Sequence, residues 1–351
     1  MMNFASDNAS GAHPAIMAAV AAANAGYADS YGSDEIMDRV RAQMRDLFEA
    51  PDAAVYLVAT GTAANALALS CYAPPWSAVY CHRQAHVEED ECGAPEFYTG
   101  GAKLVLLDGA AGKITPDALS GALANTARVG VHNVQRGVLS VTNVTEVGGV
   151  YTPAEVAQLA GIARAGGVPV HMDGARLANA LAATGATPAE MTWKAGVDIL
   201  SFGGTKNGCL GVEAVVIFDP DKAWEFELRR KRGGHLFSKH RFLSAQIEAY
   251  LADGLWMQLA RHANAMGQRL ARGLAETPGA SLLFPADANM VFATWARAGH
   301  RRAQSGGGHY YFWPADGSLD GPAEEPLSAR LVSSWCTTEA DVDGLLALIR
   351  G

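Results

Sequence analysis

The sequence predicts an α/β protein: a largely parallel sheet covered by helices on both faces, followed by a smaller α+β domain. Three observations point there. Short continuous apolar runs, such as AVYLV at Ala54–Val58 and VLSVT at Val138–Thr142, alternate with longer helical patterns, as expected for strands buried on both faces. Of 351 residues, 49% are hydrophobic and only 18% charged, below the ~25% charged of an average chain, which points to much buried surface and is consistent with buried subunit interfaces. After a long helical stretch at Leu243–Ala275 the pattern changes, with apolar runs at Met290–Trp295 and Leu331–Trp335. We place the large domain at 1–250, including the N-terminal segment, and the small domain at 251–351.

Taken in order, Ala54–Val58 reads as a buried strand and Gly61–Tyr72 as a helix opening on Gly-Thr. Val79–Cys81, Leu104–Leu107 and Val138–Thr142 are further strands. Pro153–Ala165 reads as a helix with Thr152 as N-cap and proline at its first position. Val168–Met172, Ile199–Phe202 and Val212–Phe218 complete the series of strands. The SGGG run at Ser305–Gly308 reads as a flexible connection.

Composition excludes several function classes. A formal charge of −9 argues against nucleic acid or an anionic membrane as partner. No apolar run approaches the ~18 residues of a membrane span. Met1 to Ala12 is polar and has no basic start followed by an apolar core, so we expect no secretory leader. The five cysteines are irregularly spaced and read as free thiols of a reducing compartment. Cys71, Cys209 and Cys336 read as small core residues. Cys81, His82, His86 and Cys92 lack metal-site spacing, and we expect no metal.

Three motifs carry chemistry. Ala59-Thr60-Gly61-Thr62-Ala63 sits at a strand-to-helix turn, where glycine and free N–H groups suit a phosphate; an ordinary helix cap would look the same. In Val170-His171-Met172-Asp173-Gly174-Ala175-Arg176 an aspartate ends a buried strand, where open α/β sheets place ligands. Its carboxylate could hold a ring nitrogen protonated, and Arg176 could clamp a carboxylate, or the two could simply close the strand end. In Ser201-Phe202-Gly203-Gly204-Thr205-Lys206-Asn207 a lysine follows another strand; buried, it could form an imine, and solvated it would be a loop residue. Together, a phosphate cradle, an acid for a ring nitrogen and an imine-forming lysine are what pyridoxal 5′-phosphate (PLP) requires.

With these residues in hand, the chain resembles the L-threonine aldolases, among the aspartate-aminotransferase-like fold type I PLP enzymes. Ser6-Asp7-Asn8, Tyr31-Gly32-Ser33-Asp34, Gly61-Thr62-Ala63-Ala64-Asn65, His86 with Glu91-Cys92-Gly93, Asp173-Gly174-Ala175-Arg176, Thr205-Lys206 and Arg330-Leu331-Val332 match that family's motifs through most of the chain. The resemblance implies a mostly parallel seven-stranded sheet, and reversible cleavage of L-β-hydroxy-α-amino acids such as L-threonine, L-allo-threonine or L-phenylserine to glycine and an aldehyde. It implies that Lys206 carries the cofactor as an imine, Asp173 pairs with the pyridine nitrogen, and His86 stacks on the ring. Gly61 and Thr62 would hold the phosphate. Ser6, Arg176 and Arg330 would hold the substrate carboxylate. Tyr31 would reach a neighbouring subunit's site. A cytoplasmic homotetramer, a dimer of dimers, is implied as well.

Two departures stand out. A segment that carries a histidine near the substrate hydroxyl in many relatives reads Thr142-Asn143-Val144-Thr145-Glu146 here, so Thr145 takes the histidine's place and the base is open: a water positioned by His86 or Asp90 is one candidate. His132, upstream, is given no role. Asp90 lies in an acidic run, Glu88 to Glu91, whose Glu88 and Glu89 read as a solvated helix face. In the basic segment Arg229–Arg241 we select Lys239 as the phosphate contact, with Arg232 and Arg241 behind it. Rival readings keep the cofactor and change the bond (β-elimination, dehydration, racemisation) or drop catalysis for a silent binding protein; fold alone does not decide between them.

Overall fold

The computed structural model describes residues 2–126 and 128–351; Met1, the first residue of the segment read as leaderless, lies outside them. The short strand β1 (Met2–Asn3) opens the chain. Seven strands build the central sheet: β2 (Ala54–Val58), β3 (Ser77–His82), β4 (Lys103–Leu107), β5 (Gln135–Thr142), β6 (Val170–Gly174), β7 (Ile199–Gly203) and β8 (Glu213–Ile217). Their spatial order is β2-β8-β7-β6-β5-β3-β4. All neighbours are parallel except β8, which is antiparallel to both β2 and β7. Every residue of β3, β6, β7 and β8 is buried. That accounts for continuous apolar runs in place of an alternating pattern.

The helices between these strands follow their caps. Pro153–Ala165 begins with a capping box, in which Thr152 and Glu155 satisfy each other's backbone N–H groups, as the Thr-Pro-x-Glu pattern predicts. The helical stretch expected over Leu243–Ala275 is two helices, Arg241–Leu251 and Leu255–Ala275. They are broken at Asp253 and Gly254, both with positive φ.

A second, antiparallel sheet follows. Its strands are β9 (Ser281–Leu282), β10 (Met290–Ala296), β12 (Tyr311–Phe312) and β13 (Pro326–Val332), ordered β12-β13-β10-β9; the short β11 (Gly308–His309) pairs instead with β1. The strand expected at Leu331–Trp335 lies earlier: β13 ends at Val332, and Ser333–Cys336 forms a turn in which Ser334 N–H donates to Thr337 Oγ1. Cys336 is exposed in that turn, which corrects its reading as a core residue; Cys71 and Cys209 are buried. Gly308 belongs to a strand, so only part of the SGGG run is a connection. Phe4 packs into the hydrophobic cluster of the second sheet with Leu331, Leu345 and Trp295. The N-terminal segment is therefore strapped onto the C-terminal layer, and this carries residues 5–7 to the sheet ends where the site lies. No helix among the described residues is long and apolar enough to cross a membrane.

Candidate active site

The register of the central sheet puts Thr142, Asp173 and Ser201 side by side on β5, β6 and β7. Asp173 is buried. Its Oδ1 accepts from the Ala175 N–H at 3.0 Å and its Oδ2 from Asn65 Nδ2 at 3.0 Å. Asn65 comes from the inner face of the helix Gly61–Ser70, and the same Nδ2 donates to Glu91 Oε1 at 2.9 Å. Glu91 Oε1 also accepts from His86 Nδ1 at 2.9 Å; the carboxylate can only accept, so the imidazole carries its proton on Nδ1. The bond to Glu91 raises the pKa of His86 against the opposing effect of burial. Burial in turn pushes the Glu91 carboxyl above its ordinary value, with His86 and Asn65 resisting. In the acidic run, Glu88 and Glu89 are exposed as expected, and Glu91 is the buried member.

The two arginines meet the N-terminal segment. Arg176, buried, donates from Nε and Nη2 to the two oxygens of Asp7 at 2.7 and 2.9 Å. Asn289 Nδ2 adds a third donor to Asp7 at 3.1 Å. Burial alone would raise the Asp7 carboxyl; Arg176 outweighs it, and the pKa falls below the ordinary range. The bidentate edge of Arg176 is thus occupied by Asp7. Its Nη1 lies 4.0 Å from Glu146 Oε2. Arg330, on β13, donates from Nη1 to the Ala5 carbonyl at 3.1 Å. Burial lowers its pKa and the Arg176 charge adds to the effect, while Asp7, Glu146 and Asp90 oppose it. Ser6, between Ala5 and Asp7, is half-buried, and its hydroxyl accepts from the Asn8 N–H at 3.1 Å. Ser6, Arg176 and Arg330 are therefore collected at one place.

Lys206 follows β7 in a short turn, Thr205–Asn207, and is half-buried. The ion pairs around it go to Arg176 and His86 rather than to its own ammonium. Its charge nevertheless reaches Asp7, His86 and Glu213. The turn is held by Glu213, whose Oε2 accepts from the Gly204 N–H at 2.8 Å. A Cβ on Gly203 would strike the Ala175 carbonyl, so glycine there lets the Lys206 turn close against the Asp173–Arg176 loop. At the start of the helix Gly61–Ser70, Thr60 caps the Ala63 N–H. Among the described residues the Gly61 and Thr62 N–H groups have no acceptor, and there is open space where a Gly61 Cβ would stand.

Other expected residues lie apart or face elsewhere. Tyr31 and Lys239 belong to one exposed patch: the Tyr31 N–H donates to the Ser238 carbonyl at 3.1 Å, and Lys231 Nζ sits 4.8 Å from the Tyr31 ring centre. No hydrogen bond or ion pair among the described residues joins this patch to His86, Asp173 or Lys206. Asp90 caps the short helix His86–Glu89, with its N–H on the His86 carbonyl, and is exposed. Thr145 is buried, with its hydroxyl donating to the Ala111 carbonyl at 2.8 Å and accepting from the Gly149 N–H at 2.9 Å. It is a turn residue, and its neighbour Glu146 faces the arginines instead. His132 is exposed at the end of a short turn of helix. Asp7 and Asn65 lie within motifs quoted above but had been given no role; Asn65, four residues after Gly61, was legible as the inward face of that helix.

Known proteins bear on this arrangement. The model of a family described as beta-eliminating lyase matches residues 3–298. A low specificity L-threonine aldolase of Pseudomonas sp. is 42% identical over 347 residues, covering 99% of this chain and 96% of that protein. One of Pseudomonas aeruginosa, with the same name, is 41% identical over the same shares. A structure of a Leishmania major threonine aldolase superposes with a TM-score of 0.90 at 27% identity, covering 99% of this chain and 98% of that one. The chain belongs to the threonine aldolases of the beta-eliminating lyase family, lyases of the PLP-dependent fold type I.

Proposed function

We propose that this chain binds PLP and cleaves L-β-hydroxy-α-amino acids, of the L-threonine, L-allo-threonine or L-phenylserine kind, reversibly to glycine and an aldehyde. The observation that carries the reading is one convergence of three groups: buried Asp173 at the end of β6, an amine, Lys206, after the neighbouring β7 and outside the local ion pairs, and the two arginines with Ser6, gathered by the N-terminal segment. These residues fit the cofactor. A buried carboxylate with two donors, one on each oxygen, can accept from a protonated ring nitrogen. The Gly61 and Thr62 N–H groups at a helix start can take a phosphate.

When bound, PLP supplies a ring that accepts the electron pair of the breaking Cα–Cβ bond. The chain supplies the rest. Asp173 would keep a ring nitrogen protonated by its charge. Lys206 would be the amine that holds the cofactor and would move a proton at the substrate Cα. Arg330, Ser6 and the Nη1 edge of Arg176 orient the substrate carboxylate, which fixes the Cα–Cβ bond as the one to break. His86 would stack on the ring. Asp90 and a water placed by His86 are the candidates for taking the β-hydroxyl proton; no role falls to Thr145. Tyr31 and Lys239 would serve the site of a second copy, Lys239 at the phosphate, within a cytoplasmic homotetramer. We also propose the domain division near residue 250, with Met2–Phe4 counted with the C-terminal unit.

The test is product analysis of PLP-loaded protein with L-threonine and L-threo-phenylserine beside Lys206→Ala. Glycine with the matching aldehyde, lost in the variant, is expected. Ammonia with a 2-oxo acid would overturn the choice of bond in favour of β-elimination.

A further inference from the structure

We propose that Glu91 is a positioning residue: with Asn65 it ties His86 to Asp173 in one buried hydrogen-bonded unit, holding the imidazole with its proton on Nδ1 and leaving Nε2 for the bound cofactor or its water. This rests on the reading of His86 as the residue against the ring. Asp173 Oδ2, Asn65 Nδ2, Glu91 Oε1 and His86 Nδ1 follow one another at 3.0, 2.9 and 2.9 Å. The Glu91 side chain is completely buried, and Asn65 and Asp173 are each 2% exposed.

The arrangement is more than packing because it is short of donors. Glu91 Oε2 and Asn65 Oδ1 are buried with no partner among the described residues. One amide group therefore serves two carboxylates, and the remaining compensation for Glu91 comes from His86. A buried carboxylate so placed draws its neighbour toward the protonated form, and orients the ring through the nitrogen it bonds, as carboxylates do for metal-bound and catalytic histidines. The charged groups facing His86 are Glu91 from its own segment, Glu146 after β5, Asp173 on β6 and Lys206 after β7. Glu91 alone among them bonds the imidazole, so it sets the tautomer.

The test follows the imidazole itself. In ¹⁵N-histidine-labelled apoprotein, with the His86 signal assigned by a His86→Asn variant, the neutral ring should carry its proton on Nδ1. Its titration midpoint should lie above the ordinary ~6.5. Glu91→Gln keeps the shape and the acceptor oxygen but removes the charge. The midpoint should then fall by about one pH unit or more, since a hydrogen-bonded carboxylate shifts a neighbour by that order. In PLP-loaded protein the same variant should move the pH profile of kcat more than KM. An unmoved midpoint, or a neutral wild-type ring protonated on Nε2, would overturn the proposal; the second measurement needs no variant to fold. Failure to bind PLP would defeat the functional reading instead, and the apoprotein titration would still decide the role of Glu91.

Discussion

Asp7 and Arg176, 169 residues apart in the chain, form a two-point ion pair with N–O distances of 2.7 and 2.9 Å, both side chains at most 3% exposed. The pair locks the N-terminal strap over the carboxyl ends of the sheet and fixes which edge of Arg176 can still meet a substrate. Removing one member of a buried pair leaves the other charge uncompensated, at a cost of about 3–5 kcal/mol. Asp7→Ala should therefore lower stability by that order in urea unfolding. Asp7→Asn, which keeps one acceptor, should lose less. In both, KM for the amino acid should rise, because Arg176 loses its fixed position. A destabilisation under about 1 kcal/mol for Asp7→Ala would mean that the pair is solvated.

Arg330 is the second carboxylate candidate, tethered from Nη1 to the Ala5 carbonyl and by a long 3.9 Å contact from Nη2 to Met290 Sδ. Burial depresses the Arg330 pKa, and the like charge of Arg176 adds to the effect, an arrangement that is costly unless an anion comes between the two arginines. A charge-assisted bond contributes about 1.5–3 kcal/mol, or roughly ten- to a hundredfold in binding. Arg330→Ala should raise KM by that factor. Arg330→Lys should recover only part of it, since a point charge does not replace a planar fork. Steady-state kinetics over a range of substrate concentrations would show it.

Much of the sheet was readable because strands buried on both faces are continuous apolar runs bounded by Gly, Pro and caps; β5 to β8 fall where such runs do. What the sequence concealed were partners brought together from afar. Asp173-x-x-Arg176 suggests a local pair, yet Arg176 turns to Asp7, and Asp173 bonds Asn65 and the Ala175 backbone. Glu88 and Glu89 read as a solvated helix face, and the helix ends at Glu89, so Glu91 leaves its periodicity and turns inward. Helical spacing holds only as far as the helix does. Tyr31, expected to reach a neighbouring subunit's site, and Lys239, expected at the phosphate, share a surface patch, an arrangement that no spacing rule within one chain could have supplied.

Thr145 gives a prediction from its two bonds. Its Oγ1 donates to Ala111 and accepts from Gly149, inside a turn so tight that a Cβ on Gly112 would stand 2.8 Å from the Thr145 Cβ. Thr145→Val leaves a carbonyl and an N–H without partners and should cost about 1–3 kcal/mol. Thr145→Ser should be nearly neutral. Neither should alter the ratio of threo to erythro products, which chromatography of the aldol products would measure. Thr145→His should destabilise the turn rather than install a base, because Thr145 is buried and both bonds of its hydroxyl would be lost. A changed diastereomer ratio in the serine variant would place the hydroxyl at the substrate after all.

Glu213 ties stability to pH through the turn that carries Lys206. It is buried, accepts from the Gly204 N–H, and burial pushes its carboxyl up to about 7, with Thr205, Gly204 and Lys206 resisting. Unfolded, it would titrate near 4.5. Between these values the folded state holds more protons than the unfolded one, so this group's contribution to stability falls as pH rises through the window. Below about 4.5 the penalty is absent, and above 7 it is complete. Glu213→Gln keeps an acceptor for Gly204 and removes the titration. It should match the wild type in unfolding free energy at pH 4 and exceed it by on the order of 1–3 kcal/mol at pH 8, each pKa unit being about 1.4 kcal/mol. Equal stability of the two proteins at pH 8, measured by urea unfolding, would mean that the carboxylate is fully compensated in place and that the turn does not respond to its charge.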